Sequence, residues 1–228
     1  MRAMILAAGR GERMRPLTDS TPKPLLKAAG KSLIERVIEQ LVAANFTELV
    51  INHAYLGHQI ENTLGDGSQF GARILYSHEG ENGLETAGGI IHALPLMNDG
   101  EPFLVVNGDI ATDFPFVELR NKSFDLAHLI LVPNPKHHQK GDFQFNADST
   151  LSSENTNRFT FSGIGVYSPE FFLNAPREST KLAPLLREAM LEKRVTGQVF
   201  KGFWMDIGTQ ERLQILENIY LEKEINCR

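Results

Sequence analysis

From Arg2 to Val106 the chain alternates short apolar runs with segments of helical period, and no other feature narrows the available folds as far. Apolar runs at Arg2–Ala7, Glu48–Asn52, Arg73–Ser77 and Phe103–Val106 predict strands. The segments between them, Ser32–Ala43, His58–Leu64 and Thr86–Leu94, predict helices. Such strand–helix–strand repeats close through right-handed crossovers onto a largely parallel sheet. The helix at Ser32 is the most clearly marked: Ser32 stands as N-cap, Glu35 completes a capping box, and Leu33, Val37 and Leu41 form one stripe. After residue 124 the pattern changes. Leu126–Val132, Phe143–Phe145 and Arg158–Tyr167 read as strands joined by polar loops, an antiparallel addition expected to extend the sheet and cover one side of a site. A helix at Leu182–Glu192, a strand at Gly197–Phe200 and a helix at Gln210–Glu222 follow.

Open parallel sheets bind ligands at the carboxyl ends of their strands, so the loops leaving the predicted strands carry the functional information. The first is the richest. Met4 to Ala8 are apolar and uncharged, and Gly9 and Gly11 then permit backbone conformations that turn amide hydrogens toward an anion. Arg10, Arg13, Arg15 and Lys23 follow, with Lys23 between Pro22 and Pro24. Between Arg10 and Lys31 six cationic side chains stand against two carboxylates, Glu12 and Asp19, in a chain whose net charge is −5. A local basic cluster on an acidic protein fits a small polyanion rather than nucleic acid. Two other glycine loops do not fit. The dinucleotide fingerprint needs glycine where this chain has Met14, and a P-loop ending at Gly30-Lys31-Ser32 needs an earlier glycine where it has Leu25.

Three more loops fall at predicted strand ends. Glu79 to Gly89 leads into a helix with Thr86 near its N-terminus. Gly88 and Gly89 in an early helical turn imply either a close ligand or close helix-to-sheet packing. Asn107-Gly108-Asp109 ends an apolar strand in a carboxylate suited to Mg²⁺, which takes hard oxygen ligands and leaves positions for water and phosphates; read locally, the same residues make a turn. Phe203 to Thr209 holds one carboxylate, Asp206, within an apolar segment, where it serves as a ligand or as a helix cap, a role Thr209 fills more naturally. His137 and His138 sit in a polar loop without metal-ligand companions.

A chain of 228 residues with 42% hydrophobic content can bury a sizeable core, and without a Gly-, Ser- or Pro-rich linker it is expected to form one domain, 1–228. No apolar stretch nears the roughly 20 residues that span a bilayer, and the first apolar run is too short for a secretory signal. A cytoplasmic protein without membrane partners is expected. The single cysteine, Cys227, excludes an internal disulfide and reads as an inert terminal thiol.

The segment Leu6-Ala7-Ala8-Gly9-Arg10-Gly11-Glu12-Arg13-Met14-Arg15-Pro16-Leu17-Thr18 with Pro22-Lys23-Pro24, followed in order by Asn107-Gly108-Asp109 and Trp204-Met205-Asp206-Ile207-Gly208-Thr209, resembles the nucleotidyltransferases that activate sugar 1-phosphates. The resemblance spans the whole chain. Glu85-Thr86-Ala87-Gly88-Gly89-Ile90 looks most like the short bacterial branch that makes UDP-N-acetylmuramic acid from N-acetylmuramate 1-phosphate in cell-wall recycling. It implies a Rossmann-like three-layer α/β sandwich with a mostly parallel mixed central sheet, GT-A-like, with a nucleotide-binding half over about 1–122 and a sugar-binding half over about 123–228. The implied partners are a nucleoside triphosphate, UTP favoured, and a sugar 1-phosphate, in a monomer or small homo-oligomer. Asp109 and Asp206 would hold Mg²⁺, Lys23 would stabilise the transferring phosphoryl group, and Arg13 with the Gly9–Glu12 amides would hold pyrophosphate. Leu6, Ala7, Ala8, Gly9, Arg10, Gly11, Glu12, Glu79, Gly83 and Asn107 would bind the nucleotide, and Thr86, Asn107, Gly141, Asp142, Glu154 and Gly163 the sugar. For Asp142 and Glu154 a solvated surface role stands beside this one.

The chain departs from the family in one respect. Many thymidylyl- and guanylyltransferases have Glu-Lys-Pro where this chain has Ser153-Glu154-Asn155-Thr156-Asn157, so a sugar-contacting lysine is missing. Members with a C-terminal left-handed β-helix are longer, and that second acyltransferase function is expected to be absent. The alternatives are mannose-1-phosphate guanylyltransferase, glucose-1-phosphate thymidylyl- or uridylyltransferase, and a non-catalytic nucleotide-sugar-binding regulator. A dinucleotide-dependent oxidoreductase is disfavoured by Met14 and the prolines of the first loop.

Overall fold

The computed structural model describes residues 1–81, 83–97, 100–154, 157–176 and 180–226. Cys227 and the Asn155-Thr156 part of the expected sugar-contacting segment lie outside them. In chain order the elements that matter are β1 (Ala3–Leu6), β2 (Lys27–Ala28), β3 (Lys31–Ser32), α1 (Leu33–Ala43), β4 (Glu48–His53), α2 (Gly57–Leu64), β5 (Arg73–His78), α3 (Glu85–Met97), β6 (Phe103–Asn107) and β7 (Ile110–Thr112). There follow β8 (Ala127–Val132), β9 (Gln144–Phe145), β10 (Leu151–Ser152), β11 (Thr160–Tyr167), α4 (Leu182–Leu191), β12 (Val195–Val199), β13 (Trp204–Asp206) and α5 (Gln210–Asn226).

Seven strands from both halves of the chain form one sheet in the order β12-β8-β11-β6-β1-β4-β5. Strand β11 runs antiparallel to β6 and β8, and the other neighbours are parallel. The expected antiparallel addition is therefore one strand wide, because β12 returns parallel to β8. From β1 the chain steps to β4 and β5 on one side, then crosses to β6 on the other. That reversal leaves a crevice at the carboxyl ends of β1 and β6, the place where open α/β sheets bind ligands.

Alternation along each strand divides the core between the two faces. Ala3, Ile5, Leu49 and Ile51 pack with Ile34, Val37, Ile38 and Leu41 of α1 and Ile60 and Leu64 of α2. Met4 and Val50 point the other way, toward Ala87, Ile90 and Ala93 of α3 and Leu182 and Leu186 of α4. Each such fully buried large aliphatic side chain contributes about 1.5–3 kcal/mol. The stripe expected of α1 splits in two: Leu33 leaves the sheet side and packs with Ile207 and Leu216 beneath α5. The capping box is present, with Glu35 N–H donating to Ser32 Oγ at 3.3 Å and Ser32 N–H to Glu35 Oε2 at 2.8 Å. The two-stranded pair of β7 and β13 lies off the main sheet and decides where Asp206 stands. Among the described residues no helix is long and apolar enough to cross a membrane.

Candidate active site

A cleft of about 520 Å³ opens at the crevice between β1 and β6, within the ordinary range for small-molecule sites. Leu6, Ala7, Ala8, Gly9, Arg10, Gly11, Glu12, Arg13 and Lys23 line it, together with Glu79, Gly83, Thr86, Asn107 and Asp109. The first loop turns through Gly11, whose φ of +67° suits glycine and whose missing Cβ leaves room for Thr18 and for the stem of Lys23, with Lys23 Cβ 3.0 Å away. Thr18 Oγ1 donates to the Gly11 carbonyl at 2.9 Å and fixes the turn. The Lys23 stem is thereby buried while its ammonium reaches Asp109, with which it forms a close ion pair. Arg10 donates to the Glu81 carbonyl, and Arg13 forms no ion pair with any described residue. The loop therefore presents two guanidinium groups without carboxylate partners among the described residues, as suits a polyanion site.

The floor of the cleft is a hydrogen-bonded chain that the sequence analysis did not find. Asn52, the penultimate residue of β4, stands opposite Leu6 of β1 and is 3% exposed. Its Oδ1 accepts from Ala7 N–H at 2.9 Å, and its Nδ2 donates to Glu79 Oε1 at 2.5 Å. Glu79 Oε2 accepts from Leu84 N–H at 2.7 Å. One buried amide thus ties the ends of β1 and β4 to the residue after β5 and to the loop before α3. Gly89 presses on this pair: a Cβ there would collide with Glu79 Oε1 and lie 2.8 Å from Asn52 Nδ2. Close packing against the sheet ends is thus the reason for glycine at that point of α3.

Asp109 and Asp206 leave neighbouring backbones. Strand β13 pairs antiparallel with β7, setting Asp206 opposite Ile110, and Ile207 N–H donates to the Asp109 carbonyl at 2.8 Å. Lys23 holds Asp109 Oδ2, while Arg212 Nη1, at 2.5 Å, and His137 Nε2, at 3.0 Å, hold Asp206 Oδ1. Among the described residues no group of three or more His, Cys, Asp or Glu side chains is placed to hold a metal. A magnesium site that borrows phosphate and water ligands needs only one or two carboxylates, and two carboxylates on hydrogen-bonded neighbouring segments fit that chemistry. His137 and Arg212 were not singled out from the sequence. His137 contacts Asp206 and Arg212, because the loop after β8 carries it across to the start of α5.

On the sugar side the expected residues separate. Gly163 reaches the site through a bulge in β11 between Phe161 and Ile164, which brings it against Asn107 so closely that a Cβ would strike the Asn107 amide. Trp204 Nε1–H holds the bulge by donating to the Ser162 carbonyl at 2.9 Å. Gly141 and Asp142 do not line the cleft. Asp142 spends Oδ1 on His138 Nε2 at 3.0 Å and Oδ2 on Phe161 N–H at 2.8 Å, pinning the 133–142 loop to β11. Glu154 faces a different depression, lined by Arg187 and Lys193 among others, and the structure does not bring it to Asp109.

Comparison with known proteins agrees with this geometry. A family model described as nucleotidyl transferase matches residues 2–223. The chain is 55% identical over 222 residues to an N-acetylmuramate alpha-1-phosphate uridylyltransferase of Neisseria meningitidis serogroup B, covering 94% of this chain and 96% of that protein. A protein of the same description from Caulobacter vibrioides is 32% identical over 221 residues, covering 90% and 91%. Among solved structures, a Bacillus anthracis protein assigned as a glucose-1-phosphate thymidylyltransferase superposes with a TM-score of 0.82 at 20% identity, covering 96% of this chain and 94% of that one, a likeness of fold. A match that runs almost from end to end, with relatives at 55% and 32% identity, makes this chain a member of the nucleotidyl transferase family.

Proposed function

We propose that this chain, acting as one catalytic unit in the cytoplasm, transfers uridylate from UTP to N-acetylmuramate 1-phosphate, giving UDP-N-acetylmuramate and pyrophosphate. The observation that carries nucleotidyl transfer is the convergence of the Gly9–Arg13 loop, Lys23 and Asp109 on one cleft at the sheet's switch point. The choice of uridine and of this sugar is supported by the similarity to the Neisseria and Caulobacter uridylyltransferases.

A phosphate oxygen of the acceptor attacks the α-phosphorus of UTP in line with the bond to the β-phosphate. That bond breaks, and its electron pair leaves with pyrophosphate. Both reactants are polyanions, so the protein supplies position and fixed positive charge, and no covalent intermediate is required. Arg13 and the amides of Gly9 to Glu12 receive the β- and γ-phosphates as the leaving group. Lys23, a compact charge, follows the equatorial oxygens of the transferring phosphorus, whereas arginine's planar fork suits the two oxygens of a static phosphate. Mg²⁺ held by Asp109 and Asp206 would neutralise charge shared between the α-phosphate and the acceptor phosphate. Asn52 and Glu79 keep the β1 end and the 83–84 loop at a fixed separation, which sets the slot for the nucleobase.

Pyrophosphate release measured with UTP, GTP, dTTP and ATP against N-acetylmuramate, N-acetylglucosamine, glucose and mannose 1-phosphates tests the assignment. The highest kcat/KM is expected for UTP with N-acetylmuramate 1-phosphate. A preference for GTP with mannose 1-phosphate moves the chain to another substrate pair, and no release from any pair removes the catalytic reading.

A further inference from the structure

The basic side chains of the site fall into two groups. Arg10, Arg13 and Lys23 line the nucleotide cleft, whereas Arg212 and His137 meet at Asp206 Oδ1. Both converge on the same carboxylate oxygen, and Arg212 Nη1 is 2.8 Å from His137 Nε2. The Arg212 side chain is only 13% exposed, and Thr209 Oγ1 lies 3.4 Å from its Nε, so the guanidinium is held in place rather than waving in solvent. Gly208, which lines the cleft, lets Arg212 approach Arg13: a Cβ there would collide with Arg212 Nη2 and stand 3.2 Å from Arg13 Nη2. Both guanidinium groups therefore crowd the space that a side chain at this position would fill.

A guanidinium cannot shed its charge. With Asp206 committed to a divalent cation, Arg212 would lose its anionic partner and stand beside two added positive charges in a partly buried place. Like charges at such separations repel strongly where water is scarce, unless an anion comes between them. In-line displacement brings a second anion to the site besides the nucleotide, since the acceptor phosphate must reach the α-phosphorus opposite the leaving pyrophosphate.

We propose that Arg212, flanked by His137, receives the acceptor: its guanidinium leaves Asp206 for an anionic group of the sugar phosphate, either the 1-phosphate or a carboxylate borne on the sugar. The assignment rests on the nucleotidyl-transfer reading above and adds a specificity-determining residue to it. Two segments build the clamp. His137 rides on the loop that Asp142 pins to β11 through His138 and Phe161, and Arg212 lies in the first turn of α5. The loop also carries Lys136 and Lys140, close in sequence to His137.

The test measures KM for each substrate separately by pyrophosphate release, in wild type, Arg212→Gln, Arg212→Lys and His137→Asn. Direct UTP–Mn²⁺ binding by calorimetry provides a second readout. The acceptors are N-acetylmuramate 1-phosphate and N-acetylglucosamine 1-phosphate, which lacks the carboxylate; an acceptor that wild type does not turn over is scored as a competitive inhibitor. Arg212→Gln is expected to raise the acceptor constant roughly ten- to hundredfold, the loss of a charge-assisted hydrogen bond, while UTP binding stays within about twofold. Arg212→Lys is expected to recover part of the loss, and His137→Asn to shift the acceptor constant in the same direction by less. Equal losses for both acceptors identify the 1-phosphate as the partner; a loss confined to N-acetylmuramate 1-phosphate identifies the carboxylate. UTP binding weakened as much as acceptor binding, or an unchanged acceptor constant in both Arg212→Gln and His137→Asn, overturns the assignment. If Arg212→Gln does not fold, His137→Asn alone decides by the same criterion. Wild type inert toward every acceptor overturns the functional reading first and this assignment with it, so the two failures are told apart before any variant is measured.

Discussion

Asn52→Ala is the perturbation whose consequence follows most directly from the geometry. The substitution leaves β4 in place and removes an amide that serves two elements at once, stranding the Ala7 N–H and one oxygen of Glu79. Ala7 is 6% exposed, and water cannot easily replace the lost acceptor. A buried neutral hydrogen bond is worth about 1 kcal/mol and one to a charged group about 1.5–3, so their joint loss costs about 3–4 kcal/mol. Part of that loss falls on folding and part on the nucleotide slot, because Glu79 also holds Leu84 N–H. Urea denaturation followed by the emission of Trp204, the single tryptophan, is expected to give a stability lower by about 3 kcal/mol with an unchanged m-value. The KM for UTP is expected to rise at least roughly tenfold. Asn52→Asp keeps the acceptor but sets a second carboxylate against Glu79, so it is expected to fail comparably above pH 5. A loss under about 1 kcal/mol with an unchanged KM in Asn52→Ala would refute the claim that this residue joins the sheet ends to the nucleotide site.

Lys23→Ala and Asp109→Ala are each expected to lower kcat by roughly 10²–10³ or more while leaving the thermal transition in place, since fixed charge aimed at the reacting group is the main catalytic device; near-normal rates in either variant remove that residue from the mechanism. Excess chelator is expected to abolish pyrophosphate release and added Mg²⁺ to restore it, and full activity in chelator contradicts a site built on two carboxylates. His128 gives a pH test away from the cleft: burial in β8, with Lys122 nearby, pushes its ring down from 6.5 to about 4. Between those values the unfolded chain binds a proton that the folded chain does not, so stability falls as pH drops from 6.5 toward 4, by about 3 kcal/mol in total. His128→Gln, compared with wild type by urea denaturation at pH 7 and pH 4.5, is expected to flatten that slope.

The periodic signals carried the fold a long way. Met4 and Ile5 alternate between two cores as a buried parallel strand should, and Ser32 with Glu35 announced α1. The first loop was legible because glycine and arginine chemistry is local. What escaped is what depends on contacts distant in sequence. Strands β7 and β13 have three residues each and no readable period, so their pairing, which brings Asp206 beside Asp109, was not foreseen. Asn52 read as the polar end of an apolar run, although its value lies in partners 45 and 27 residues away. His137 and Arg212 are 75 residues apart and acquire meaning only once the 133–142 loop crosses to α5. Of the two roles left open for Glu154, its place in a separate depression with Arg187 and Lys193 fits the surface one.

The most direct measurement is anomalous scattering from a crystal of this protein grown with UTP and Mn²⁺. The account predicts one strong peak beside the α-phosphate, with an oxygen of Asp109 and an oxygen of Asp206 both about 2.1 Å from it, and with Lys23 and Arg212 drawn off those carboxylates onto phosphate or solvent. A peak bound by neither aspartate, or carboxylates that stay on Lys23 and Arg212 while nucleotide and metal occupy the cleft, would contradict it.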